Sequence, residues 1–185
     1  IDAAVAAAFA LGVSEAEASG IGGQAWMLIH LADGRDIALD GPGRVPQGVV
    51  PQELQKLADD GLLFGYKTVA TPEGLAVLEQ ALRQFGSKSL PEVLAPAIEL
   101  AENGVPLTFA NVKFVEQARA TLGRSAEAGR LYLGNGGPRP GKIVAYKELA
   151  ATFRQVAEGG AEVFYRGPIA RAIARAVTEA GGWLS

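Results

Sequence analysis

AWMLIHLADGRDIALDG, residues 25–41, decides the fold. Its first part, residues 25–31, is a short apolar run, and DIALDG returns after the turn-forming DGR at residues 33–35. Two such runs around an Asp-Gly turn predict an antiparallel β-hairpin. SGIGG, residues 19–23, precedes it, and those glycines permit either positive φ or very close backbone approach. Further upstream, residues 2–11 are rich in alanine with Val5 and Phe9 interspersed. High helix propensity with few polar side chains predicts a helix that is buried on most of its surface, packs on a sheet and ends at Gly12.

Downstream the pattern becomes helical. GPGRVPQGVVPQE, residues 41–53, carries three prolines and three glycines, so an ordered loop without regular structure is expected. One or two helical turns follow over residues 53–60. In LAVLEQALRQFG, Leu75, Leu78, Leu82 and Phe85 recur at helical spacing, with Pro72 before and Gly86 after. A second helix covers 90–103, and Gly104 stops it. Residues 108–122 predict one continuous helix, its stripe formed by Val112, Val115, Ala118 and Leu122. The stretch 129–146 reads as a glycine- and proline-rich excursion with short extended pieces. Helices over 146–158 and 167–180 follow, and the final residues look like the start of a strand. The sum is an α+β chain, a short hairpin with about six helices.

Composition narrows the chemistry. The 185 residues suffice for one domain with a substantial core. A formal net charge of -3 gives no long-range attraction for phosphate backbones, so no nucleic-acid partner is expected. Arg119, Arg124 and Arg130 are interrupted by acids and read as a solvated helix face. With no cysteine, thiol catalysis, disulfides and thiolate metal sites are excluded within this chain. No apolar run reaches the roughly 18 residues of a membrane span. A dense apolar start without initiator methionine or signal peptide, and a close on what reads as a strand, predict that the chain continues beyond both ends.

Candidate reactive groups are few. His30 is the only histidine, so no metal site or triad can be assembled around it. A strand histidine held by local hydrogen bonds is the expectation. SGIGG precedes a strand instead of opening a helix, the reverse of the dinucleotide fingerprint. GNGGPRPG, residues 134–141, has no phosphate-cradle pattern. The neighbouring carboxylates Asp59 and Asp60, and Glu15 and Glu17, read as solvated surface groups. No metal or cofactor is therefore expected, and no catalytic residue is assigned. Arg44 stands apart, because a proline-stiffened loop just after a strand can present its guanidinium to a carboxylate through two parallel hydrogen bonds. A surface or salt-bridging arginine is the plainer alternative.

The order of these segments resembles the large subunit of the gamma-glutamyltransferase family. DAAVAAAFALGV, SGIGG, WMLIH and ALDGPGRVP resemble the start of its mature region. LAPAIELAENG and EGGAEVFYRGPIARAI are its most specific later blocks, and the resemblance covers essentially all 185 residues. It implies the N-terminal-nucleophile hydrolase fold, a four-layer αββα sandwich, of which residues 1–185 would form a partial large-subunit segment. It also implies a self-cleaving precursor that yields a heterodimer. The new N-terminal threonine of the small subunit would attack a gamma-glutamyl amide such as glutathione, and water, an amino acid or a peptide would then take the acyl group. A terminal amine serving as base makes a histidine unnecessary. Nucleophile and oxyanion glycines belong to the small subunit, so Thr68 and Thr71 receive no such role.

The large subunit's contribution in this family is an arginine that holds the substrate's α-carboxylate, two residues after the strand's closing acid and four before a proline. Here that position is Pro42, and Arg44 is displaced by two residues. In an extended loop the displacement would be about 6–7 Å, beyond the tolerance of a reactive site. Either Arg44 reaches the same point by another path, or carboxylate recognition has changed. Hydrolysis is accordingly expected ahead of efficient transfer. A cephalosporin or glutaryl acylase-like amidohydrolase and a noncatalytic relative are the alternatives. The resemblance leans towards a periplasmic or secreted setting and leaves a cytoplasmic one open.

Overall fold

The computed structural model describes residues 1–134 and 136–185. They form two compact units, one of Ile21–Ser87 and Gln155–Ser185 with Ile1, the other of Asp2–Gly20 and Lys88–Arg154.

The first unit is built on the expected hairpin. β1 (Ala25–His30) pairs antiparallel with β2 (Asp36–Gly41), with Ala25 opposite Gly41 and His30 opposite Asp36. Side chains alternate between faces. Ile29 and Leu39 are buried, whereas Trp26 and Leu28 on the other face are 62% and 87% exposed. α2 (Pro51–Asp59) starts two residues before the expected turns, because Pro51 has no N–H to lose in a helix's first turn. α3 (Gly74–Phe85) lies on the hairpin and buries Leu75, Val77, Leu78, Ala81 and Leu82.

The second unit is mainly helical. α1 (Asp2–Ser14) runs through Gly12 and packs on α4 (Leu90–Asn103). A side chain at position 12 would come 3.3 Å from the Gly20 Cα, so the glycine serves close packing inside the helix and does not end it. Only one face of α1 is fully buried, through Val5, Phe9, Gly12 and Val13.

α4 begins with a capping arrangement. Ser89 donates to the Glu92 carboxylate from its N–H (2.8 Å) and its hydroxyl (2.7 Å), and Lys88 Nζ adds a third bond at 3.1 Å. These donors, the Ser89 N–H first, lower the Glu92 pKa from 4.5 to about 2. A lowered folded pKa means stabilisation that is complete above about 4.5 and lost as pH falls towards about 2. The difference in thermal midpoint between the native protein and Glu92→Gln is therefore expected to shrink across that window. A difference that stays constant from neutral pH to pH ~2 would rule out this linkage.

β3 (Val105–Pro106) follows, and then the predicted helix 108–122 is interrupted. α5 (Phe109–Gln117) stops at Ala118, whose ψ of 4° leaves the helical region, and α6 (Arg119–Leu122) resumes. α7 (Ala126–Ala128) and a wide helical turn over Gly129–Leu133 replace part of the expected extended excursion. β4 (Ile143–Val144) pairs with β3. α8 (Lys147–Tyr165) contains the expected 146–158 helix and continues past an interruption at Gly160. There the Glu79 carboxylate accepts from the freed Ala161 N–H at 3.2 Å. α9 (Pro168–Glu179), which belongs to the first unit with the end of α8, closes the order, and residues 183–185 form no strand. Among the described residues no helix is long and apolar enough to cross a membrane.

Candidate functional site

Three loops of the first unit meet around Arg44. The first is the glycine turn before β1. Gly23 O accepts from the N–H groups of both Glu73 (3.1 Å) and Gly74 (3.0 Å). A Cβ on Gly74 would lie 3.2 Å from that carbonyl, so this junction needs the missing side chain. None of the SGIGG glycines has positive φ, and a Cβ on Gly20 or Gly22 would meet open space, so the close approach at this junction is made by Gly74.

The second loop leaves β2. A Cβ on Gly41 would sit 2.6 Å from Val77 Cγ2, so strand end and α3 touch without room for a side chain. Gly43 then adopts φ 78°, a conformation other residues rarely take. The chain thus departs from an extended path between Pro42 and Arg44, and the distance expected of an extended loop does not apply. The third loop supplies Thr71, whose backbone pairs with Arg44 in both directions (3.2 and 2.8 Å).

This pairing fixes the Arg44 backbone while its side chain stays 80% exposed. Its Nε lies 2.8 Å from Glu73 Oε1, and the Glu73 side chain is only 19% exposed. Tyr165 OH accepts from the Ala76 N–H at 3.0 Å and so satisfies a first-turn donor of α3. Burial raises the Tyr165 pKa, the Ala76 bond offsets part of that, and nearby Glu73 and Glu79 raise it further. The phenol therefore stays protonated at neutral pH. Thr71 and Pro72 also border a concavity of about 140 Å³ with Phe164, Tyr165, Ile173 and Leu184.

The remaining sequence candidates fall elsewhere. His30 Nδ1 is 2.7 Å from Asp36 Oδ1 across the hairpin, the local bond expected of it. Thr68 donates to the backbone carbonyl of Gly65 at 2.9 Å. Arg119 and Arg130 each pair with the glutamate three residues before, Glu116 and Glu127. Asp59 accepts from Gln55, and Glu17 from the buried Asn111. In the 134–141 loop, Asn135 lies outside the described residues. Lys142 Nζ donates there to Gly134 O (2.8 Å) and Gly137 O (3.1 Å), so those carbonyls meet a cation. Among the described residues no group of three or more His, Cys, Asp or Glu is placed to hold a metal ion.

The second unit contains a larger concavity of about 270 Å³, bordered by Glu17, Leu107, Asn111, Phe114, Tyr132 and Tyr146. The two tyrosine hydroxyls are 3.1 Å apart, and burial raises both phenol pKa values.

Sequence reasoning missed Glu73. It is 29 positions from Arg44, and no local spacing announces the pair. The only signal was its place just before a helix, in TPEG.

The architecture is that of the N-terminal-nucleophile hydrolase αββα sandwich. The structure of Helicobacter pylori gamma-glutamyltranspeptidase superposes with a TM-score of 0.89 at 31% identity, over 100% of this chain and 54% of that one. The model of the gamma-glutamyltranspeptidase family matches residues 1–185, and the chain belongs to that family. It is 33% identical to a glutathione hydrolase proenzyme of Bacillus subtilis and 34% identical to an acylase ACY 1 proenzyme of a Pseudomonas species, over 98% of its own length in each case. It spans 32% and 35% of those two relatives.

Proposed function

We propose that this chain is the large-subunit part of a gamma-glutamyltransferase-like amidohydrolase, with Arg44 as the anchor for the substrate's α-carboxylate. The observation that carries the reading is the family match over the whole chain. The Arg44 geometry supports it, because an exposed guanidinium on a doubly hydrogen-bonded backbone is suited to receive a small carboxylate. The path through Gly43 supports Arg44 as a displaced counterpart of the family's arginine.

In this reading a separate small subunit, cut from the same precursor, brings an N-terminal threonine. Its hydroxyl oxygen attacks the γ-carbonyl carbon while the terminal amine takes the proton. The C–N bond then breaks, and the leaving amine takes that proton as the acyl ester forms. Water, or the amine of an amino acid or peptide, attacks the ester and regenerates the hydroxyl. Arg44 acts at the far end of the glutamyl group, where binding energy fixes the carbonyl for attack. The apolar outer face of the hairpin, Trp26 and Leu28, is in keeping with a second sheet covering it.

The likeness to an acylase proenzyme favours a second reading, an amidohydrolase for glutaryl-type acyl groups. Incubating the complete precursor separates the cases. Cleavage into two chains, the smaller beginning with threonine, and faster release from a gamma-glutamyl anilide than from a glutaryl cephalosporin are expected. The opposite substrate preference selects the acylase. A precursor that never cleaves would leave only a noncatalytic relative.

A further inference from the structure

Arg44 has a partner that its role as anchor does not by itself require. Its backbone is held by Thr71, but a guanidinium 80% exposed at the end of a long side chain is free to turn unless something holds it. Glu73 Oε1 is in contact with Nε, the donor nearest the chain. Among the described residues no hydrogen bond engages either terminal Nη group, and the approach of Glu73 is to Nε. A carboxylate can approach an arginine along the Nε side or end-on across the two Nη groups. Glu73 occupies the first approach and leaves the second.

Among the described residues the Glu73 side chain makes no other hydrogen bond or ion pair. It stands at the N-cap of α3 without a side-chain capping bond, and Tyr165 serves the Ala76 N–H instead. Its backbone is fixed on Gly23 O together with that of Gly74. With its guanidinium 80% exposed, the ion pair contributes little to stability. A largely buried carboxylate on a fixed backbone, aimed at an exposed guanidinium, is an arrangement for orientation.

Resting on the reading of Arg44 as the carboxylate anchor, we propose that Glu73 is its positioning residue, holding Nε so that the Nη edge meets the incoming carboxylate. The test is a double-mutant cycle on the processed enzyme with a gamma-glutamyl anilide. Glu73→Ala is expected to raise KM about three- to tenfold, the scale of ordering one long side chain, with kcat changed by less than about twofold. Glu73→Gln keeps an oxygen facing Nε and is expected to restore most of that loss. In an Arg44→Ala background, Glu73→Ala is expected to add less than about twofold, because nothing is left to orient.

Should the Glu73→Ala precursor fail to mature, Glu73→Asp, one methylene shorter, takes its place with the same expected direction. The proposal is overturned if Arg44→Ala raises KM while Glu73→Ala does not. It is equally overturned if the Glu73→Ala loss persists without Arg44, or if Glu73→Gln loses as much as alanine. An unchanged KM for Arg44→Ala removes the anchor itself, and this inference with it.

Discussion

Arg44→Ala is expected to raise the KM for gamma-glutamyl anilides about 10- to 150-fold while precursor self-cleavage proceeds normally. The range corresponds to losing a hydrogen-bonded contact to a charged group, about 1.5–3 kcal/mol. Self-cleavage is spared because the fold needs the Arg44 backbone, paired with Thr71, and not its exposed side chain. Arg44→Lys is expected to recover only part of the loss, since an ammonium keeps the charge without the planar fork. Steady-state kinetics on the processed enzyme decides the matter. A KM within about twofold of the native value would take Arg44 out of the site.

Phe153→Ala is expected to have the largest effect on stability, about 3–5 kcal/mol. Phe153 on α8 is 1% exposed and meets the equally buried Phe9 of α1 edge-on, with ring centroids 5.8 Å apart and planes at 72°. Removing it leaves a cavity in a helical core that can collapse only in part, and forfeits the ring-edge contact. Phe153→Leu, which refills much of the volume, should cost less than half as much. Denaturation of the complete protein measures both. A loss below about 1 kcal/mol for the alanine variant would mean that the helices close over the gap.

Much of the fold was legible where local pattern and tertiary burial agree. α3 and α4 have one apolar face each and clear terminal signals, and both were found within a residue of their observed limits. The hairpin was legible because an Asp-Gly turn between two apolar runs leaves few other pairings. The interruption at Ala118 was not, since the stripe from Val112 to Leu122 stays in helical register on both sides of it. Nor was the helical turn at Gly129–Leu133, where glycine-rich composition suggested extended chain. The length of α1 was misjudged because a glycine that ends a helix and one that lets a neighbour come close look alike in sequence.

By itself, the order of residues determined the α+β hairpin with its helices and membership of the family, and it singled out Arg44 as the candidate for holding a carboxylate. Each follows from local periodicity, from turn chemistry or from blocks of contiguous residues. Only the tertiary structure decided what holds Arg44. Thr71 and Glu73 come from the loop before α3 and Gly23 from the turn before β1, brought to the Arg44 loop by close approaches at Gly41 and Gly74 and by a positive φ at Gly43. Contacts of that kind depend on where backbones converge, and spacing along a chain does not encode the point of convergence.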